Sequence, residues 1–459
     1  MTCAGHSDKL FLMNCHQRLS SVGIKVPSIL LPAAADLSKW PVIACDQYTQ
    51  DREYWDNVKN YISASPSTLN LIFPEVYLEN DDAAGRISDI HSNMKRYLQD
   101  GVFAKPRGGF IYVERDTPYK KTRRGLIAAV DLEHYDWHSD SRFLIRSTEG
   151  TVPERLPPRM DIRRGAPVET PHILLLIDDK KNEFLPGLGE RAKKNVPVYS
   201  TPLMMDSGNV TGWFINDESD FSFIADKLDE LYRSLTAERF LFAVGDGNHS
   251  LAAAKGIWNE IKKGLKEQEK EIFHPGRYAL VEIENIYDPA LQFEPIHRLV
   301  FDIEYEKIIS LLSELPGFSM HTVNGERELS SAVSADLSCS DTGVKNRFGV
   351  ISRGRTAQLT HYAIIETSAA GISTACLQPL LDKYAKDNPY LIDYIHDEKE
   401  LFRLSVAGNR RVSGILLPPV QKSGLFETVA RHGPLPRKSF SMGRSSEKRF
   451  YLECRSLLE

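Results

Sequence analysis

Short apolar runs of strand length alternate along this chain with segments whose apolar residues recur at helical spacing, and that alternation most limits the folds open to it. Phe110-Ile-Tyr-Val, Leu126-Ile-Ala-Ala-Val, Ile173-Leu-Leu-Leu-Ile and Phe240-Leu-Phe-Ala-Val are too short for packed helices and too apolar for solvated loops, so they predict buried strands. Between them, residues 82–100 carry Ile87, Ile90, Met94, Tyr97 and Leu98 at helical spacing, with Gly101 as the stop. Residues 219–235 repeat the pattern with Phe223, Ile224, Leu228, Leu231, Tyr232 and Leu235. All-β folds and helical bundles lack this interleaving. The expected class is α/β, with a mixed α+β sheet.

With 459 residues, at ~150 per domain, more than one domain is expected. Residues 1–25 read as a leader, 26–300 as a large N-terminal catalytic domain and 301–459 as a smaller C-terminal α/β region. The soft boundary lies near Phe301, where the pattern shifts. Beyond it, a helix with Ile308, Ile309, Leu312 and Leu315 ends at Pro316-Gly. A Ser- and Asp-rich stretch, 330–342, reads as a loop before strands at Phe348-Gly-Val-Ile-Ser and Tyr362-Ala-Ile-Ile. No apolar run approaches the ~20 residues needed to span a bilayer, so no membrane partner is expected. The six cysteines are scattered without metal-binding spacing, which suits reduced thiols in a cytoplasmic protein. A net charge of −5, from 57 basic and 62 acidic residues, disfavours nucleic acid as a partner. A homo-oligomer is compatible with all of this.

The most informative segment is the strand ending at Val244, followed by Gly245-Asp-Gly-Asn-His-Ser and an Ala-rich helix. Two glycines permit a tight turn and close backbone approach, and a helix start offers N–H groups and a positive dipole end to an anion. Asp246 can hold a metal ion or accept a proton; His249 can shuttle a proton or donate to a phosphate oxygen. The competing reading is an ordinary turn capped by Asn248 or Ser250. A second group, Arg146-Ser-Thr-Glu149-Gly-Thr151, offers a guanidinium, a carboxylate and a hydroxyl. It reads equally as an anion clamp or as a surface ion-pair network. His297-Arg298 and Arg437-Lys438-Ser439 are further candidate anion contacts. No Walker loop, nucleophile elbow or H-E-x-x-H is present. Gly187-Leu-Gly-Glu-Arg-Ala does not follow a strand and reads as a loop. His134 and His138 read as an exposed turn rather than a metal site. Cation- and Gly-rich cradles with a few acids, and no dominant nucleophile, suit phosphoryl transfer.

Leu37-Ser-Lys-Trp-Pro-Val-Ile-Ala-Cys-Asp-Gln-Tyr-Thr, Arg146-Ser-Thr-Glu-Gly-Thr, Val244-Gly-Asp-Gly-Asn-His-Ser, Pro295-Ile-His-Arg and Pro436-Arg-Lys-Ser-Phe-Ser-Met-Gly together resemble the domain of unknown function 1015 family, over about Val26 to Arg455. The central loop is also distantly similar to that of the partition-protein and sulfiredoxin superfamily, which includes nucleotide-dependent kinases acting on free serine. That resemblance implies a partition-protein/sulfiredoxin-like core in the N-terminal domain, and places Asp246, Gly247 and His249 on the active loop. Asn248 and Ser250 stand where the family's loop commonly has His and Arg, so the anion contact of the missing Arg must come from Arg146, Arg298 or Lys438. No Cys lies in the loop, which excludes sulfiredoxin-like chemistry.

The resulting expectation is a phosphotransferase moving a phosphoryl group between a nucleotide (ATP or ADP, with Mg²⁺ on its phosphates) and a small hydroxylated metabolite such as serine. Asp246, His249 and Glu149 are the catalytic candidates. Gly245, Gly247, Asn248, Ser250, Arg146, Thr151, His297, Arg298 and Lys438 are the phosphate- and substrate-binding candidates, and no resident metal site is expected. The alternatives are a phosphoserine-type phosphatase using the same loop and a non-catalytic nucleotide-binding switch.

Overall fold

The computed structural model describes residues 13–78, 82–119, 121–235, 240–266, 274–335, 337, 343–354, 359–386, 391–407 and 411–458. The chain divides into two units, Met1–Leu291 with Gly443–Glu459, and Gln292–Met442.

In the first unit, strands β1 (Ile24–Lys25), β2 (Phe110–Asp116), β3 (Thr122–Asp131), β4 (Tyr135–Asp136), β5 (Ile145–Ser147), β6 (Leu174–Ile177), β7 (Tyr199–Pro202), β8 (Asn209–Ile215), β9 (Phe242–Asp246) and β10 (Tyr278–Asn285) form one mixed sheet. The order is β7-β8-β2-β3-β10-β6-β9-β5-β4, with β1 paired to β3. The pairs β6/β10, β9/β5 and β4/β5 are parallel; the others are antiparallel. Its helices are α1 (Cys15–Ser21), α2 (Arg52–Ile62), α3 (Ala83–Gln99), α4 (Leu156–Arg163), α5 (Phe184–Ala192), α6 (Glu218–Ser234) and α7 (Asn248–Gly264).

Alternation along the strands gives the sheet two apolar faces. Tyr112, Leu126, Leu175, Val244 and Val281 pack against Leu19 of α1, Leu188 of α5, Leu228 of α6 and Trp258 of α7. Ile111, Val113, Ile127 and Leu280 face the other way, toward Trp55 of α2, Met94 of α3 and Tyr451 and Leu452 of the C-terminal segment.

Continued along β2, β3 and β10, that second face turns charged: Arg115, Arg123, Glu282 and Glu284 are all buried. The returning C-terminal segment covers them. Arg115 donates to the Ser446 carbonyl at 2.7 Å and to the Lys448 carbonyl, and Arg123 donates to the Glu447 carbonyl at 2.9 Å. Arg449 pairs with Glu282 and, at 2.5 Å, with Glu453. Phe450–Tyr451 then pairs with Val42–Ile43.

The second unit is a six-stranded antiparallel sheet: β11 (His297–Phe301), β12 (Ser319–Thr322), β13 (Asn346–Arg353), β14 (Thr360–Thr367), β15 (Ile392–Ile395) and β16 (Val412–Leu416), in the order β12-β14-β13-β16-β11-β15. Helices α8 (Tyr305–Leu312) and α10 (Ser373–Ala385) cover one face through Ile308 and Leu377. Helices α9 (Glu326–Ser334) and α11 (Glu398–Val406) cover the other through Leu329 and Leu401. The last helix of this unit is α12 (Leu425–His432).

The α/β class with a mixed sheet is as expected, but several local expectations give way. The stretch 13–25, read within a leader, folds onto the first unit: α1 has an Asn14/Gln17 capping box, buries Leu19, and sends Arg18 to Asp229 at 2.5 Å. The first unit ends at Leu291 rather than near 300 and regains Gly443–Glu459, because the buried charges of the sheet bind that segment. Gly187-Leu-Gly lies within helix α5, not a loop. At Gly189 a Cβ would sit 2.4 Å from the Tyr112 hydroxyl, so the glycine lets helix and sheet approach. Part of the presumed loop 330–342 is helix α9; residues 336 and 338–342 lie outside the described residues. Among the described residues Cys15, Cys45, Cys376 and Cys454 are free thiols, and no helix is long and apolar enough to cross a membrane.

Two stability predictions follow from the buried charges. Arg449→Met leaves Glu282 and Glu453 without their cation, and should cost about 3–5 kcal/mol in chemical denaturation followed by tryptophan fluorescence. Burial pushes the Glu284 carboxyl up to about 8 from 4.5, against the pull of Arg123 and with repulsion from Glu282 and Asp288. Between those two values the folded chain holds a proton that the unfolded chain has released, so stability falls as pH rises through that window. Glu284→Gln should flatten this slope, which is at most about 1.4 kcal/mol per pH unit. An unchanged slope in the variant would assign it to another group.

Candidate functional site

Strand β9 runs apolar through Val244 and ends at Gly245 and Asp246. Gly247 caps helix α7 in the left-handed region, φ 78°, with no side-chain cap, so the competing reading of a turn capped by Asn248 or Ser250 does not hold. A Cβ at Gly247 would lie 3.0 Å from the Ile173 Cα, so both conformation and contact require glycine. The first intrahelical bond runs from the Leu251 N–H to the Gly247 carbonyl. The amides of Asn248, His249 and Ser250 thus precede the helix's own ladder, at its positive end.

Asp246 has both oxygens engaged. Oδ1 accepts the Gly247 N–H at 2.9 Å, and Oδ2 accepts Lys448 Nζ at 2.9 Å, from the C-terminal segment. Burial raises the Asp246 pKa, but the Lys448 ammonium outweighs it and holds the carboxyl below its ordinary value. The group is a fixed anion, poorly suited to accept a proton.

Alongside the loop, β5 pairs with β9 and carries the 146–152 segment past it. Thr148 donates to the Val244 carbonyl at 2.6 Å, and the Val152 N–H donates to His249 Nε2 at 3.3 Å. Glu149 and Thr151 are half-buried here, and the Thr151 hydroxyl and Asn248 side-chain carbonyl have no hydrogen-bond partner among the described residues. Arg146 is buried, donates to the Phe143 carbonyl at 3.0 Å and lies 5.1 Å from the Phe240 ring centroid. His297, Arg298 and Lys438 are in the second unit. His297 Nδ1 accepts the Leu417 N–H at 3.1 Å, and burial, with Arg298 and His396, lowers its pKa to about 4. Arg298 donates to Gln378 at 2.8 Å and lies over Tyr394. Lys438 is exposed at φ 58°.

Sequence reasoning missed the cleft beside α7. It has about 840 Å³ of open space including its mouth. Leu71, Phe73, Met94, Ile162 and Val168 make its apolar body; Cys45, Glu75, Arg159, His172, Ser250 and Tyr451 line it as well. These polar groups are bonded into one cluster. Glu75 pairs with Arg159, and the Glu75 N–H donates to the Cys45 carbonyl at 2.8 Å. The Tyr451 oxygen accepts the Cys45 N–H at 3.2 Å. His172 lies 2.6 Å from that oxygen through Nδ1, and 3.3 Å from Ser250 Oγ and 3.6 Å from Asp46 Oδ2 through Nε2. Of the carboxylates Asp46, Glu75 and Asp246, two are paired with Arg or Lys. Asp46 Oδ2 lies 3.6 Å from His172 Nε2, and Asp46 Oδ1 accepts the Gln47 side-chain amide at 3.0 Å. A lone His before a strand and a Lys and Tyr near the C-terminus carry no motif signal, so only the fold brings them here. The expected exposed turn is not formed at His134, which ends a short 3-10 helix (Leu132–His134), is half-buried and leads into β4; His138 is exposed and bonds Asp136 at 2.6 Å.

The profile of a family described as "Protein of unknown function (DUF1015)" matches residues 29–383. No curated protein matches. Among solved structures, the chain is similar to a free serine kinase in complex with AMP, at 12% identity and a TM-score of 0.37, covering 73% of this chain and 94% of that one. A conserved hypothetical protein from Pyrococcus furiosus matches at 12% identity and a TM-score of 0.33, covering 71% and 90%. A C-terminally truncated SbnI from Staphylococcus aureus matches at 10% and 0.33, covering 69% and 82%. Likeness at these values does not reach the chemistry of the site.

Gly247→Ala should lower stability by about 1–3 kcal/mol in thermal or urea unfolding, through the left-handed backbone and the Ile173 contact. The Asp246–Lys448 pair contributes stability that is present above the ordinary carboxylate value of 3.8 and lost as pH falls through the lower folded value. Asp246→Asn should therefore remove part of the acid limb of the stability curve below about pH 4; an identical limb in both proteins would show that the pair does not act in solution.

Proposed function

This chain belongs to the DUF1015 family, and from that premise we propose that it is a nucleotide-dependent phosphotransferase acting on a small hydroxylated metabolite. The observation that carries the reading is the uncapped start of α7 opening beside a cleft with an apolar body and a polar head. The apolar lining suits a nucleobase, and the first-turn amides suit phosphate oxygens. The loop's resemblance to that of free-serine kinases makes serine the first acceptor to test.

Mg²⁺ on the nucleotide phosphates fits the groups present. Asp46, Glu75 and Asp246 outnumber Lys448 and Arg159, so a polyphosphate needs an accompanying cation, which Asp246 would contact with its remaining lone pairs. Bound there, the ion would neutralise phosphate charge. In the transfer, the acceptor hydroxyl oxygen bonds to phosphorus while the bond to the bridging oxygen breaks. The electron pair stays on the nucleoside diphosphate, and the hydroxyl proton passes to Asp46. Asp246 is the fixed counter-charge that keeps Lys448 in place rather than the base.

Incubating the full chain with Mg-ATP and serine, followed by ³¹P NMR, should show ADP and phosphoserine appearing together; phosphoserine with ADP should run the reverse. Asp246→Asn should cut the rate about 100-fold or more. Release of phosphate from phosphoserine without nucleotide would favour the phosphatase reading instead. ATP binding without any product would favour a switch.

A further inference from the structure

We infer that His172 is a catalytic hydrogen-bond donor of the cleft, its Nε2–H turned toward the phosphoryl oxygens by Tyr451 of the C-terminal segment. The inference rests on the phosphoryl-transfer reading for its role, but not for its geometry. His172 is 6% exposed and sits just before β6, with its ring edge-on to Tyr451 at 5.4 Å and 89°. Its Nδ1 is 2.6 Å from the Tyr451 oxygen.

The direction of that hydrogen bond sets the tautomer. Burial, with the nearby Cys45 and Asp46, holds the Tyr451 phenol protonated well above its ordinary range. The phenol oxygen already accepts the Cys45 N–H; in the proposed arrangement its own hydrogen goes to Nδ1, 2.6 Å away, rather than to the Cys45 side chain. A neutral imidazole has one donor and one acceptor, so a proton-accepting Nδ1 places the hydrogen on Nε2. That N–H faces Ser250 Oγ at 3.3 Å and Asp46 Oδ2 at 3.6 Å. Both distances exceed that of a strong charge-assisted bond, so an anionic oxygen entering the cleft offers a better acceptor.

Ser250 is the convergence point. It lies in the first turn of α7, so its hydroxyl, the first-turn amides and His172 Nε2–H address the same place from two elements. Such a convergence suits an oxygen cluster that gains charge during transfer. His172 keeps its own proton throughout: the acceptor proton goes to Asp46 and the electron pair to the departing diphosphate. Tyr451 touches no substrate in this scheme and is a positioning residue.

The test uses the full chain with ¹⁵N-labelled histidine, the His172 signals being identified by their loss in His172→Gln. Long-range ¹H–¹⁵N spectra should show the Nε2–H form in the native protein, and a mixture or the opposite form in Tyr451→Phe. Mg-AMP-PNP or inorganic phosphate should shift the His172 Nε2 resonance. In turnover, His172→Ala, which removes the donor, should lower kcat about 100-fold and Tyr451→Phe about 10-fold, each with a nucleotide KM within about threefold of native, whereas His172→Gln, which keeps an amide N–H, should retain part of the rate. If no acceptor is turned over, the transferase reading fails, while a shifted Nε2 resonance still supports the donor. A native Nδ1–H form, or a resonance unmoved by both probes, overturns the inference. So does a His172→Ala protein that turns over at the native rate.

Discussion

The C-terminal segment is held by charges buried in the sheet, and the site depends on that attachment. Arg115, Arg123 and Arg449, with Glu282 and Glu453, form bonds that water does not screen effectively. Arginine suits this role because its planar group serves several carbonyls and carboxylates at once while remaining charged. Such a network is costly to bury and costly to break, so it specifies a position more than it adds stability. The position specified is that of the segment between Ser446 and Glu453, which delivers Lys448 to Asp246 and Tyr451 to His172.

The first unit therefore has a site built from both ends of the chain. Asp46, Glu75, His172 and Asp246 come from the first 291 residues; Lys448 and Tyr451 come from the C-terminal segment. Pairing distinguishes the carboxylates. Asp246 and Glu75 are bound to cations, whereas Asp46 lies beside a histidine. The cleft has an apolar body, and the first-turn amides of α7 precede the helix's own hydrogen-bond ladder.

Elements with strong periodicity were legible in the sequence. The helices that became α3 and α6, and the strands that became β2, β3, β6 and β9, follow from local spacing of apolar residues. The turn after Val244 was also legible, since Gly-Asp-Gly before an Ala-rich run has few other uses. Gly187-Leu-Gly was misread because its glycines answer a distant side chain, Tyr112, rather than a local turn. The 13–25 stretch was misread because its partners, Asp229 and β3, lie about a hundred or more residues away.

What the sequence determined by itself was the strongly periodic helices and strands and the glycine-bracketed loop, because periodicity, glycine and helix polarity act over a few neighbouring residues. Which groups surround that loop was decided only in three dimensions. His172, Lys448 and Tyr451 meet there because sheet order and buried ion pairs join residues hundreds of positions apart, and no local spacing records such distances.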